Sequence, residues 1–268
     1  MLTRQIDPLS GVETSNDMMA THPDFPVLVK TIDMPKGYID HLHQHNWHQI
    51  IFPIKGLLQT QTEQYQHLVP HTSILFVPAG IAHESIALSH TTFIGIYLNP
   101  SFGAQYPSSV RTVTLTPFLN ALLQEVRYQC GQGISHQETQ RLLAVLHDQV
   151  LKDNIQIFQL LLPQDRRLKL MFEALSEQPG LAHSLKQWGE IVGASERTLS
   201  RLFANEFNTS FQLWRQQIRL VYSLSLLDEA LSIQCIADRV GYHNDSSYIK
   251  AFKSYFGHTP QQFRQRNR

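Results

Sequence analysis

At 268 residues the chain is long enough for two ordinary domains, each with its own core. No apolar run approaches membrane-spanning length, and the polar N-terminus lacks a basic-then-apolar signal segment, so we expect a soluble cytoplasmic protein. The 22 Lys and Arg balance 22 Asp and Glu, but residues 1–162 hold 8 basic against 12 acidic side chains and residues 163–268 hold 14 against 10, so the second half is the one that suits a polyanion.

Residues 1–25 are polar and predict a mobile arm. Short segments of strand character follow over 26–100: Val27–Met34, Gln49–Ile54, Leu57–Thr62, Gln66–Val69, Ile74–Val77 and Thr91–Leu98. Gly and Pro punctuate them, which predicts a β-barrel or sandwich. Eight of the 14 histidines lie between His41 and His90. Gly37, His43, His45, Gln49 and Gly56 resemble the first cupin motif, with Gln where Glu is usual. Pro78, Gly80 and His83 resemble the core of the second, without the Asn that usually follows. His43 and His45 are two apart, so on a strand they would share a face. A neighbouring strand can add His83, and Gln49 an oxygen. Such a set suits a divalent transition metal, Zn, Ni, Fe or Mn, held more weakly than with Glu. The same residues also suit a metal-free ligand pocket, as the resemblance to effector-binding cupins implies, or inert barrel positions. Trp47 belongs to the ligand-binding set, with Phe52, Phe76 and Tyr97 as further apolar walls. His41, His48, His67, His71 and His90 fit no motif and are expected at the surface or rim.

Residues 101–162 read as a linker with two helices. Thr116 and Pro117 start one, with Phe118, Leu119, Leu122, Leu123 and Val126 as its stripe. Gly131 and Gly133 break it. Ser135 can cap a second, with Glu138 at capping-box distance and Leu142, Val145, Leu146 and Val150 inward. Cys130 and Cys235 have no ligand-like spacing and are expected to be buried, reduced thiols.

Residues 163–268 predict an all-α domain. Leu168, Met171, Phe172 and Leu175 suit a supporting helix. Ser184 caps a helix packed through Leu185, Trp188 and Ile191; Gly193 turns the chain; Ser195 caps a helix with Leu199, Leu202 and Phe203 inward. A connecting helix runs from Arg215 to Leu231. The arrangement then repeats. Ile236, Ala237 and Val240 share a face, Gly241 breaks the helix, Asn244 or Asp245 caps the next, and Tyr248, Ala251, Phe252 and Phe256 form its stripe until Gly257 and Pro260 end the unit. Helix, Gly turn and capped helix make a helix-turn-helix, whose second helix can lie in a major groove. The outward positions are Glu196, Arg197, Ser200 and Arg201 in the first unit, and Asn244, Asp245, Ser246, Ile249 and Lys250 in the second. Arg197, Arg201 and Lys250 are the strongest candidates for base or phosphate contact, and Asp245 for capping or accepting from cytosine. Lys253, Arg264 and Arg266 suit the phosphate backbone.

Ile236, Ala237, Gly241, Tyr242, Tyr248, Phe252, Lys253, Phe256, Gly257, Thr259, Pro260, Phe263 and Arg264 together resemble the C-terminal signature of AraC/XylS-type transcription regulators. Asp165, Arg167, Leu168 and Trp188 extend the likeness. The resemblance implies a multidomain α+β chain: a cupin-like barrel over 26–100, dimerisation helices over 101–162 and a tandem helix-turn-helix domain over 163–268. It implies a promoter as double-stranded DNA partner, a small-molecule effector, a homodimer and RNA polymerase as a further partner. The alternative is a metal-dependent cupin enzyme, a dioxygenase or isomerase, using His43, His45, Gln49 and His83.

Overall fold

The computed structural model describes residues 14–102, 106–130, 136–152, 159–227, 229 and 231–266. The expected arm before residue 14, the breaks and cap at Gly131, Gly133 and Ser135, and the side chain of Arg266 lie outside the described residues. Where the arm was expected to continue to residue 25, a helix forms instead, α1 (Ser15–Thr21), with a reciprocal capping box between Thr14 and Asp17. Its Met19 is buried with Leu28, Trp47 and Tyr97, so apolar packing holds a segment whose overall composition is polar.

Among the described residues, ten strands form two five-stranded sheets. They are β1 (Val27–Met34), β2 (Ile39–His43), β3 (His48–Lys55), β4 (Leu57–Gln61), β5 (Tyr65–Pro70), β6 (Ser73–Val77), β7 (His83–Ala87), β8 (Thr91–Leu98), β9 (Arg111–Thr114) and β10 (Gln159–Leu161). One sheet has the order β1-β8-β3-β6-β9 and the other β10-β5-β4-β7-β2, with antiparallel pairings throughout. The expected linker therefore supplies an edge strand to each sheet.

Between the β domain's last strands run α2 (Pro117–Cys130) and α3 (His136–Lys152). Alternation along the strands explains what each sheet face covers. Ile50, Phe52, Ile74, Phe76, Ile94 and Ile96 point outward and pack on Leu119, Leu122, Leu123 and Leu146 of these two helices. Phe52 and Phe76, expected as pocket walls, belong to this layer. Ile51, Leu75, Val77, Phe93, Leu58 and Val69 fill the space between the sheets. Leu57, Leu68 and Leu160 lie on the outer face of the second sheet and join the core of the C-terminal half.

That half is helical: α4 (Arg166–Glu177), α5 (Leu185–Val192), α6 (Glu196–Phe207), α7 (Phe211–Leu227), α8 (Ile233–Arg239), α9 (Asp245–Phe256) and α10 (Pro260–Arg266). Pro260 opens α10 rather than closing the unit, because at the first helical position its missing N–H costs nothing; Thr259 and Gln262 bond reciprocally across the cap. Ile191, expected to pack, is 58% exposed, and Trp188 and Val192 take the inward face. The central α7 also meets the β domain: Gln66 Nε2 donates to Tyr222 Oη at 3.0 Å and Gln217 Nε2 to the Gln159 carbonyl at 3.2 Å. No helix of the described residues is long and apolar enough to cross a membrane.

Candidate functional site

The helical half presents two similar pairs, α5–α6 and α8–α9. In the first, Gly193 takes the left-handed conformation that ends α5, and Ser195 Oγ accepts the Thr198 N–H to start α6. In the second, Gly241 turns at φ 80° after α8, and Asn244 Oδ1 accepts the Ser247 N–H at 2.8 Å to start α9. Buried Leu199 and Phe203 fix one side of α6, and buried Tyr248, Phe252 and Phe256 one side of α9. The opposite faces are free. Arg197, Ser200 and Arg201 are exposed on α6; Ser246, Lys250 and Lys253 are exposed on α9. Their spacings place each set on one helical face. None of these four cations takes part in an ion pair found among the described residues.

Arg264 is placed differently from expectation, and Asn244 takes the cap the sequence allowed it. Arg264 donates from Nε to the Leu227 carbonyl at 3.0 Å, and its Nη2 is buried, so it braces α10 against α7 instead of facing a phosphate. Asn244 has committed its side-chain oxygen to the cap, which leaves its amide N–H groups outward.

The β domain brings His43, His45 and His83 together, with one nitrogen from each within 4.8 Å of the others. The route differs from strand alternation. His43 ends β2 after a register shift, opposite His83 on β7, while His45 lies beyond the strand on the way to β3. Backbone carbonyls then set each ring. His43 Nδ1 donates to the His41 carbonyl at 2.7 Å, His45 Nδ1 to that of Trp47 at 2.5 Å and His83 Nδ1 to that of Ile81 at 2.9 Å. A carbonyl only accepts, so each Nδ1 holds a proton, and Nε2 is the nitrogen each ring can offer a cation. Burial pushes the His45 imidazole below its usual range and His83 down to about 4, which keeps both neutral.

Gln49 completes the centre. Its Oε1 lies 3.2 Å from His45 Nε2 and 3.0 Å from His83 Nε2, and its Nε2 lies 3.3 Å from Tyr97 Oη. Three acceptors thus face one another. Two arrangements satisfy them: a 180° turn of the amide, so that its NH2 donates to both rings, or a cation between the rings and the oxygen. The donor set fits a divalent transition metal in the second case. Trp47 contributes through its carbonyl, its ring being packed on Met19, Leu28 and Tyr97.

Sequence reasoning gave Tyr97 no polar role, yet its hydroxyl bridges Gln49 and Ser15 Oγ, the latter at 2.6 Å. It also placed His67 at the surface. His67 is buried on β5, with neither ring nitrogen bonded, and burial depresses its pKa to about 4. Cys130 and Cys235 are free and half-buried.

Residues 188–266 match the family described as a helix-turn-helix domain. The C-terminal half thus carries a helix-turn-helix domain similar to that of AraC/XylS-type DNA-binding transcription regulators. Among named relatives it is similar to the HTH-type transcriptional regulator NimR of Escherichia coli K12, at 26% identity over 83% of this chain and 81% of that one. It is similar to the HTH-type transcriptional regulator RipA of Corynebacterium glutamicum at 36% identity over 38% of this chain and 31% of that one. Among solved structures it is similar to unsaturated-fatty-acid-bound ToxT of Vibrio cholerae, at 14% identity over 89% of this chain and 94% of that one, with a TM-score of 0.40, too loose a fit for comparing sites.

Proposed function

We propose that this chain is a transcription regulator that reads a promoter with two helix-turn-helix units, α5–α6 and α8–α9, and that a small molecule bound in a cupin-type barrel controls it. The observation carrying the first part is the repetition of a turn and a capped helix that twice exposes unpaired cations: Arg197 and Arg201, then Lys250 and Lys253. Arg suits guanine O6 and N7, and Lys suits a base or phosphate oxygen. Selection from a pool of genomic fragments with the full chain tests it. A paired motif about 10 base pairs apart, retained at about 150 mM salt, is the expected outcome. Enrichment that is unselective and lost with salt would refute reading by both units.

The barrel's ligand site is His43, His45, Gln49 and His83, with Trp47 holding His45 from behind. A divalent transition metal bound there would supply a fixed positive charge to which an anionic or oxygen-rich effector can bind. The chain's own carbonyls would hold the three rings through Nδ1 and leave Nε2 to face the ion. Because Gln49 can satisfy both rings without metal, the wild-type site should bind metal reversibly. Gln49→Glu removes the amide donor and adds a charge, so Zn2+ affinity should rise roughly tenfold or more by calorimetric titration. An unchanged or weaker affinity would remove Gln49 from the ligand set.

Outward Phe118, Tyr128, Val145 and Leu151 on α2 and α3, 56%, 62%, 38% and 43% exposed, support these helices as a homodimer face. Light scattering of Tyr128→Glu tests that part: a monomer is expected. Promoter binding would place RNA polymerase within reach as a further partner.

A further inference from the structure

Two arginines stand one turn apart on α7, and among the described residues neither joins an ion pair. Both hold backbone carbonyls instead. Arg215 lies over the Phe211 ring at 4.9 Å and donates to the His183 carbonyl at 3.0 Å. Arg219 makes three bonds: Nε to Pro179 at 3.0 Å, Nη2 to Leu181 at 3.1 Å and Nη1 to Gly241 at 3.0 Å. The first two carbonyls lie in the segment that leads into α5. The third is the turn between α8 and α9. One guanidinium therefore joins the entrance of the first helix pair to the hinge of the second.

The backbones meet at the same point. A Cβ on Gly241 would stand 2.7 Å from Arg219 Nη2 and 2.9 Å from the Gly180 Cα, and a Cβ on Gly180 2.7 Å from the Arg239 carbonyl oxygen. Only glycine permits that approach at both positions. A planar fork with five donors can serve three diverging carbonyls; an ammonium on a flexible stem cannot hold them in one plane.

We propose that Arg219 is a positioning residue that sets the separation and phase of α6 and α9, and hence the spacing of half-motifs the protein accepts. The inference rests on the reading that both helices enter DNA grooves. One added base pair rotates a half-motif by about 36° around the duplex, so a spacing preference requires that the two helix pairs not turn freely about α7. The bonds of Arg219 resist that turn without touching DNA.

The test uses the full chain and duplexes carrying the selected paired motif at its own spacing, one base pair longer and one shorter, with each half-motif alone as control. The wild type should prefer one spacing by about tenfold. Arg219→Met should reduce that preference to within about twofold and leave binding to each isolated half-motif within about twofold of wild type. Arg219→Lys should fall between. Retained preference in a folded Arg219→Met protein, or equal loss on isolated and paired motifs, would overturn the proposal. Should Arg219→Met fail to fold, Gly180→Ala decides by the same readout, since it pushes the clasped backbones apart while keeping the arginine. A wild type that selects no paired motif refutes the two-unit reading itself, whereas a wild type that selects one and a variant that keeps its spacing refutes only the clasp.

Discussion

The two halves of this chain hold their candidate functional groups in opposite states. In the helical half the candidate groups are exposed cations on elements whose ends are fixed by their own neighbours in sequence: Ser195 for α6 and Asn244 for α9. In the β domain they are mostly buried acceptors, His45, Gln49 and His83, with the half-buried His43 beside them. Exposed charge loses little by waiting for a partner, because water solvates it. Buried acceptors left unpaired carry a desolvation cost until a donor or cation arrives. The β domain is therefore the half whose stability should respond to small molecules and protons, and the helical half the one whose affinity should respond to surface substitution and salt.

The largest expected effect tests the buried side of this contrast. His67 is neutral in the fold with a pKa near 4, against 6.5 for a free histidine. The unfolded chain therefore binds the proton first. The fold keeps its full stability above about pH 6.5 and loses it as pH falls toward 4, by about 3 kcal/mol for this group. Thermal unfolding across pH 7 to 4.5 should show a steeper fall for the wild type than for His67→Leu. The variant should also be no less stable at pH 7, since it removes two unpartnered nitrogens. Parallel profiles would mean that water satisfies His67 and that the contrast between the halves is overstated.

The exposed side predicts a smaller change. Arg201→Ala or Lys250→Ala should weaken specific DNA binding by about 1–3 kcal/mol where the residue reads a base, with relaxed preference at one position. A residue on a phosphate should instead lower affinity evenly and reduce the salt slope by about one unit. Neither substitution should shift the melting temperature, because both side chains are exposed. Unchanged affinity and preference would remove that residue from the interface.

The same contrast explains what was legible in the sequence. Helix ends in the second half could be read because caps, left-handed glycines and apolar stripes are local signals; Ser184, Ser195, Gly193 and Asn244 all act where their spacing suggests. Strands β1 and β8 were legible as uninterrupted runs. Strands β2 and β7 were not, since IDHLH and HESIA are too polar to show a strand period, and they carry His43 and His83. Strands β9 and β10 pair with segments tens of residues away, information that no local window contains. The histidine set itself was legible from motif spacing. The carbonyls that orient its rings, and those that Arg219 grips, were not, because every residue has a carbonyl and none marks it in sequence.

The smallest expected effect separates the two roles that meet at Asn244. Its Oδ1 caps α9 and its amide N–H groups face outward, so fold and recognition share one side chain. Asn244→Asp keeps the capping oxygen, and Asp and Asn serve nearly equally at this position, so stability should hold within about 0.5 kcal/mol. The same change deletes the only donors Asn244 could offer adenine and replaces them with an acceptor close to phosphates. Specific binding should therefore weaken through altered preference at a single base, with the melting temperature unchanged. Asn244→Ala loses the cap as well, at about 1 kcal/mol, and should lower both. If Asn244→Asp binds as the wild type does, Asn244 serves the helix alone, and the reading face of α9 begins at Ser246.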